Sequence, residues 1–293
     1  MSKLFLYICL PLILLTSCIP DPVEIDVPQA ESKIVVASQM LLDQAVLIQL
    51  SRSFNALTET PTDGDSLDED FLDALLLDSA RVIMTGPNGP DTLFKLDRGF
   101  YLRVGEALTL NESYNLSIFD SVSGKQVFSQ ATVLPPTEFT EVGYAFETER
   151  FELADTFFLD STFKLQLQFD DLVGENYYMV NLYNLSQGEG QPSTNPLSLQ
   201  EGLPTFTYTD ALLNGPTFYD TLTYRNVRQG DTLAVTLAHV SKSYYEFLLA
   251  RERSGSSFFA NLLGEPVSYP SNIEGGFGFF NLHFPTTRVL VVE

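Results

Sequence analysis

From residue 33 to the C-terminus the chain is written in short runs where apolar and polar residues alternate, punctuated by Gly, Pro, Asn, Asp and Ser. Alternation with period two marks a strand with one buried face, and such punctuation marks turns. Thr162-Phe163-Lys164-Leu165-Gln166-Leu167-Gln168-Phe169 is the plainest case, with Phe163, Leu165, Leu167 and Phe169 on one face. Residues 176–185 supply its expected hairpin partner across a turn at 171–175. Residues 33–40 and 45–51 form a first hairpin around Leu42-Asp43, and residues 79–85 and 91–96 another around Gly86-Pro87-Asn88-Gly89-Pro90. Strands at 113–120 and 125–133 are joined through Ser123-Gly124, and Pro135-Pro136 closes this set. Further strands are expected at 217–224, 232–239, 278–283 and 287–292, while the acidic stretch 58–70 and residues 187–204 read as exposed loops.

One helix stands against this background. Val240, Tyr244, Phe247 and Leu248 share a helical face, Ser243 and Glu246 have capping-box spacing, and Ser254-Gly255 ends the run. The pattern predicts a mainly β protein of two β-sandwich-like modules, immunoglobulin- or transthyretin-like, at 31–135 and 136–293. The second carries the one packed α-helix, near 241–253.

The front of the chain follows a different plan. Met1-Ser2-Lys3 leads into an almost wholly apolar run over 4–15 that ends in Leu14-Leu15-Thr16-Ser17-Cys18. One base, about a dozen apolar residues and a small-residue cleavage site make a signal peptide over 1–17; a spanning helix needs about 20 apolar residues. The ending resembles the lipobox, in which a diacylglyceryl group joins the thiol before cleavage, so Cys18 is the expected lipid attachment point. Cys9 leaves with the signal peptide, so acylation consumes the last thiol. Residues 18–30, rich in Pro and acids, then read as an extended tether.

Composition narrows the chemistry. A formal charge of −22 and the lack of a basic patch exclude nucleic acid as a partner. Aromatics are plentiful, but Trp is absent, which removes the usual sugar-stacking residue. The two histidines, His239 and His283, both lie beside apolar residues, and no nucleophile elbow or phosphate-cradling loop occurs. No catalytic residue and no cofactor are therefore assigned. Asp63, Asp65, Asp68 and Asp70 are closely spaced oxygen ligands of the kind calcium takes, without the EF-hand order, and read first as a solvated loop. Asp followed by Ser or Thr and then Ala, Val, Leu or Thr recurs at Ser66, Ser79, Thr92, Ser121, Ser161, Thr221 and Thr232. This triplet resembles the O-glycan acceptor of exported Bacteroidota proteins, and it also suits residues that open strands after turns.

Three stretches stand out together: Cys18 to Val36 with Asp21-Pro22-Val23-Glu24-Ile25-Asp26-Val27-Pro28; Asp231-Thr232-Leu233 through Tyr244-Tyr245-Glu246-Phe247-Leu248; and Glu265-Pro266-Val267 with Ser271-Asn272-Ile273-Glu274-Gly275-Gly276-Phe277-Gly278-Phe279-Phe280. They resemble the Bacteroidota lipoproteins called the domain-of-unknown-function 4249 family. The resemblance implies an outer-membrane lipoprotein encoded beside a TonB-dependent receptor, with no established activity and no catalytic residues to carry over. Asp21 and Glu24 resemble the signal that sends such lipoproteins to the cell surface. Glu274, Gly275, Gly276 and Phe277 read as a buried glycine corner or, alternatively, as a contact loop. The expected function is a non-enzymatic accessory or ligand-capture subunit of an outer-membrane β-barrel. The alternatives are a surface hydrolase using paired carboxylates and a purely structural or adhesive protein.

Overall fold

In the computed structural model the described residues are 31–41, 45–53, 62–63, 66–67, 73–153, 156–186, 205–212, 215–224, 227–253 and 269–293. Alternating burial along the early strands builds a first core. β1 (Ile34–Met40) and β2 (Val46–Arg52) pair antiparallel with Met40 opposite Val46, as the pattern predicts. β2 continues to β8 (Phe100–Arg103) and β7 (Phe94–Lys95). The facing sheet runs β10 (Gln126–Thr132), β9 (Ser113–Asp120), β5 (Ala80–Gly86), β6 (Gly89–Thr92). Tyr114, Leu116 and Ile118 of β9 pack with Val36, Ile48 and Leu50 of the first sheet. The single strand expected at 91–96 divides at buried Leu93, because the chain there leaves one sheet for the other. Within the stretch read as a loop, β3 (Thr62–Asp63) and β4 (Ser66–Leu67) form a two-residue ladder.

A second core lies between a three-stranded sheet, β11 (Phe139–Leu153), β12 (Thr156–Asp170), β15 (Thr217–Tyr224), and a four-stranded one. The latter runs β14 (Thr205–Thr209), β13 (Tyr177–Asn184), β16 (Thr232–Val240), β18 (Thr286–Val291). Phe163, Leu165, Leu167 and Phe169 face inward as predicted. Their strand does not pair with residues 176–185, however, which form β13 in the opposite sheet. The chain crosses the core between them, pinned where Leu172 N donates to Tyr178 Oη at 2.9 Å and Asn176 Nδ2 to Leu172 O at 2.7 Å. The true partner, β11, carries Glu141, Glu147, Glu149 and Glu152, and this charge masks the alternation of Val142, Tyr144 and Phe146. Stacked and edge-on rings fill the core, Phe169 and Phe218 at 4.5 Å and Phe169 and Tyr178 at 5.1 Å between centroids.

The helix α1 (Lys242–Arg253) packs Leu248 against Tyr177, Met179, Ala238 and Val240 on the far side of the four-stranded sheet. β16 is thus buried on both faces, which explains the continuous buried run from Leu233 to Ala238. The cap is Ser241, whose Oγ accepts from Tyr244 N at 3.3 Å, and not the Ser243–Glu246 box. Beyond the helix the chain returns to the first core. β17 (Phe277–Phe279) pairs parallel with β1, Glu274 bridges Phe128 of β10, and Ile273, Phe280 and Leu282 join the first hydrophobic cluster. The C-terminal module expected at 136–293 therefore gives residues 273–284 to its neighbour. Of the strand expected at 278–283 only the start makes a ladder; Phe280 to His283 are buried, and Asn281 N donates to Ser38 Oγ at 2.8 Å.

Candidate functional site: a polar groove on the three-stranded sheet

Directly opposed residues on paired strands share a face. With Phe163, Leu165, Leu167 and Phe169 buried, the intervening positions of β12 point outward. Registers then set two adjacent rows, Glu141–Gln168–Tyr219 and Gly143–Gln166–Thr221. A groove of about 540 Å³ runs along them, lined by Glu141, Gln166, Gln168, Tyr219 and Thr221, and Gly143, which contributes no side chain, lies opposite Gln166 at its edge. Leu167, its side chain buried, contributes backbone to the floor. Tyr219 is 73% exposed in mid-strand. Asp220 also lines the groove, but its carboxylate is occupied: Tyr208 Oη and Thr221 N each donate to it at 2.7 Å. Burial, with Asp220 second, pushes the Tyr208 hydroxyl far above its usual range, so it stays a donor. One row further along, Lys164 and Glu147 form an ion pair.

Smaller cavities lie elsewhere among the described residues. A crevice of about 70 Å³ between the two cores is lined by Gln39, Met40, Tyr183, Thr236 and His283. Burial holds the His283 imidazole neutral, with its pKa lowered to about 4, and Asn281 Nδ2 donates to its Nδ1 at 2.9 Å. A cleft of about 260 Å³ surrounds Arg103, which is spent on Asp91 at 3.0 Å and on Glu106 O at 3.0 Å. His239 is likewise committed, Nδ1 lying 3.2 Å from Pro135 O, and burial lowers its pKa. Among the described residues no three His, Cys, Asp or Glu side chains cluster to hold a metal ion. Among the described residues the carboxylates that shift clearly, Asp120 and Glu175, shift downward. A general acid needs the opposite.

A family model described as "Domain of unknown function (DUF4249)" matches residues 20–288. The chain belongs to this family. No curated protein matches it. Similar solved structures include a two-domain fibronectin type III segment of chicken tenascin, 10% identical, covering 89% of this chain and 100% of that one at a TM-score of 0.23. Another is the chicken interferon gamma receptor alpha chain, 12% identical, covering 89% and 98% at a TM-score of 0.20. Scores this low support no argument about this member of DUF4249.

In this DUF4249 chain the glycine segment is built into the fold. A Cβ on Gly276 would lie 2.6 Å from Ile34 O, and one on Gly278 1.9 Å from Val36 O. Gly275, at φ +82°, sits 3.3 Å from Gln126 O by the same measure, while Phe277 stays half-exposed beneath Lys33. Of the Asp-Ser/Thr triplets, Thr92, Ser121, Ser161 and Thr221 are exposed, and Ser79 and Thr232 are half-buried. Ser79 Oγ donates to Asp120 at 2.7 Å and Ser121 Oγ to Ser79 O at 2.8 Å, so both hydroxyls hold the turn together. Cys18, Asp65, Asp68 and Asp70 lie outside the described residues, as do the side chains of Asp63 and Ser66. The groove residues Glu141, Gly143 and Tyr219 carry no motif; only the outward Gln166 and Gln168 were legible, as the polar half of an alternating strand.

Proposed function

We propose that this protein is a lipid-anchored outer-membrane lipoprotein, facing the cell exterior, that serves as a non-enzymatic accessory or ligand-capture subunit of a β-barrel complex such as a TonB-dependent receptor. The observation that carries this is Leu14-Leu15-Thr16-Ser17-Cys18 at the end of a short apolar run. Several acyl chains on one cysteine give stable anchoring where a single chain would not. Asp21 and Glu24 just beyond it favour the cell surface, and the strongly acidic composition suits an exposed, soluble body. Both histidines are engaged in packing and hydrogen bonds, which supports binding over catalysis.

The test is an affinity pull-down of the tagged, lipidated full-length chain from mildly solubilised outer membranes, read by mass spectrometry. One β-barrel retained in near-stoichiometric amount supports the accessory role; an eluate of bait alone refutes it. In parallel, Cys18→Ala should lose labelled palmitate and leave the membrane fraction. Membrane retention by that variant would refute the anchor.

A further inference from the structure

We propose that the groove beside Gly143 binds a neutral oligosaccharide, with Tyr219 stacked on a sugar ring and Gln166, Gln168 and Glu141 holding its hydroxyls. A sugar ring presents a face of C–H bonds and an edge of hydroxyls that both donate and accept. Its complement is an open aromatic plane beside groups that do the same. Tyr219 is 73% exposed and has no ring partner among the described residues. Glutamine amides carry two donors and an acceptor, and the Thr221 hydroxyl acts both ways. Among the described hydrogen bonds none uses the Gln166 or Gln168 amide, so both are open to a ligand.

Gly143 is the second observation. Its φ is not positive, and a Cβ placed there would meet only Gln166 Oε1, at an ordinary 3.7 Å. Neither backbone strain nor a close neighbour explains a glycine in the middle of a strand. What it supplies is the space above it, and a strand glycine often marks the close approach of a ligand. The adjoining groove, at about 540 Å³, falls in the range of small-molecule sites.

Charge decides between ligand classes. The groove offers Glu141 and Asp220, the nearby base Lys164 is paired with Glu147, and the chain carries −22 overall, so anionic glycans, nucleic acids and phosphate headgroups are repelled. A protein partner would need a cluster of apolar anchors, and here one ring stands among polar groups. Asp220 is engaged by Tyr208, which leaves Glu141 without a second free carboxylate in the groove and points to binding, not cleavage. Tyrosine thus fills the place of the missing tryptophan. The site names the ligand class for the capture role but does not depend on docking to a barrel: a pull-down of bait alone would leave glycan binding intact, and absent glycan binding would leave the pull-down intact.

The test uses the full-length lipidated chain in detergent micelles, by affinity electrophoresis and titration calorimetry. The probes are soluble α-1,4-glucan, β-1,4-glucan, mannan and xylan, with polygalacturonate as the anionic comparison. At least one neutral polymer should retard the protein and polygalacturonate should not. Tyr219→Ala should weaken binding about tenfold or more. Gly143→Leu should do the same by crowding Gln166 at the groove's edge without removing a polar group, and Phe94→Ala, exposed on a strand of the other core, should change nothing. All three should melt close to the wild type. Failure of every neutral polymer to bind would overturn the proposal, as would equal binding of polygalacturonate, or unchanged affinity in both groove variants.

Discussion

Asp120 shows how much one buried side chain can organise. Its carboxylate is wholly buried and accepts from Ser79 Oγ at 2.7 Å, Ser123 Oγ at 2.6 Å, and the backbone N–H groups of Val122 and Ser123 at 3.2 Å, with Arg52 Nη2 at 3.5 Å. Burial works to raise its pKa, but the hydrogen bonds together outweigh it and bring the value down to about 2. A depressed carboxylate pKa contributes stability that is complete above the unfolded value near 3.8 and is lost as pH falls toward 2. Asp120→Ala should therefore cost ~3 kcal/mol at neutral pH, measured by urea denaturation, and the deficit should shrink below pH ~4. A constant deficit would remove the carboxylate from the account. His283 has the opposite consequence. Its pKa of about 4 lies below the ordinary 6.5, so between those values the unfolded chain takes up a proton that the native state refuses. Wild-type stability should fall by up to ~3 kcal/mol across that window relative to His283→Gln. Parallel pH profiles of the two proteins would show the imidazole is not held neutral. In the sequence both residues looked ordinary, since neither burial nor partners can be read from neighbours.

At the scale of elements, β17 acts as a strap across two sheets. Gly278 has φ +97°, and a Cβ there would overlap Val36 O at 1.9 Å, so Gly278→Ala should lower stability by ~3 kcal/mol or more, whereas Gly143→Ala should be nearly neutral. Denaturation curves for the pair would separate strap from groove; equal costs would mean that the parallel pairing with β1 is not what the glycine serves. The sequence shows the glycines and their phenylalanines but not the strand beside which they must fit. The long β11–β12 hairpin makes a related point. β15 pairs with β12 only over 163–170, so among the described residues 156–162 pair with β11 alone. Amides at 147–153 and 156–162 should exchange faster with deuterium than those at 163–170. Equal protection would show that another segment covers the arm.

For the whole molecule, residues 32–293 form one compact unit, and the first core is completed from the far end of the chain. A fragment of residues 31–135 lacks β17, Ile273, Phe280 and Leu282, and should fail to fold alone, giving poorly dispersed amide resonances. A well-dispersed spectrum would mean that the strap is dispensable. The two cores share one continuous C-terminal segment, since β17 enters the first and β18 the second. Full-length protein should accordingly unfold in a single transition under urea, and two resolved transitions would contradict this coupling.

The sequence by itself determined which residues of several strands face inward, where several tight turns fall and that a helix follows β16, because these follow from local periodicity and backbone preference. The pattern also predicted the sandwich class and carried the family's motifs. Only the tertiary structure decided which strands pair, that the predicted partner of β12 sits across the core from it, and that residues 273–284 return to the first sheet. Pairing is a competition among distant edges of similar pattern, settled by packing of the whole core. The groove follows from that competition, since Glu141, Gly143, Gln166, Gln168, Tyr219 and Thr221 come from three strands and meet only through register.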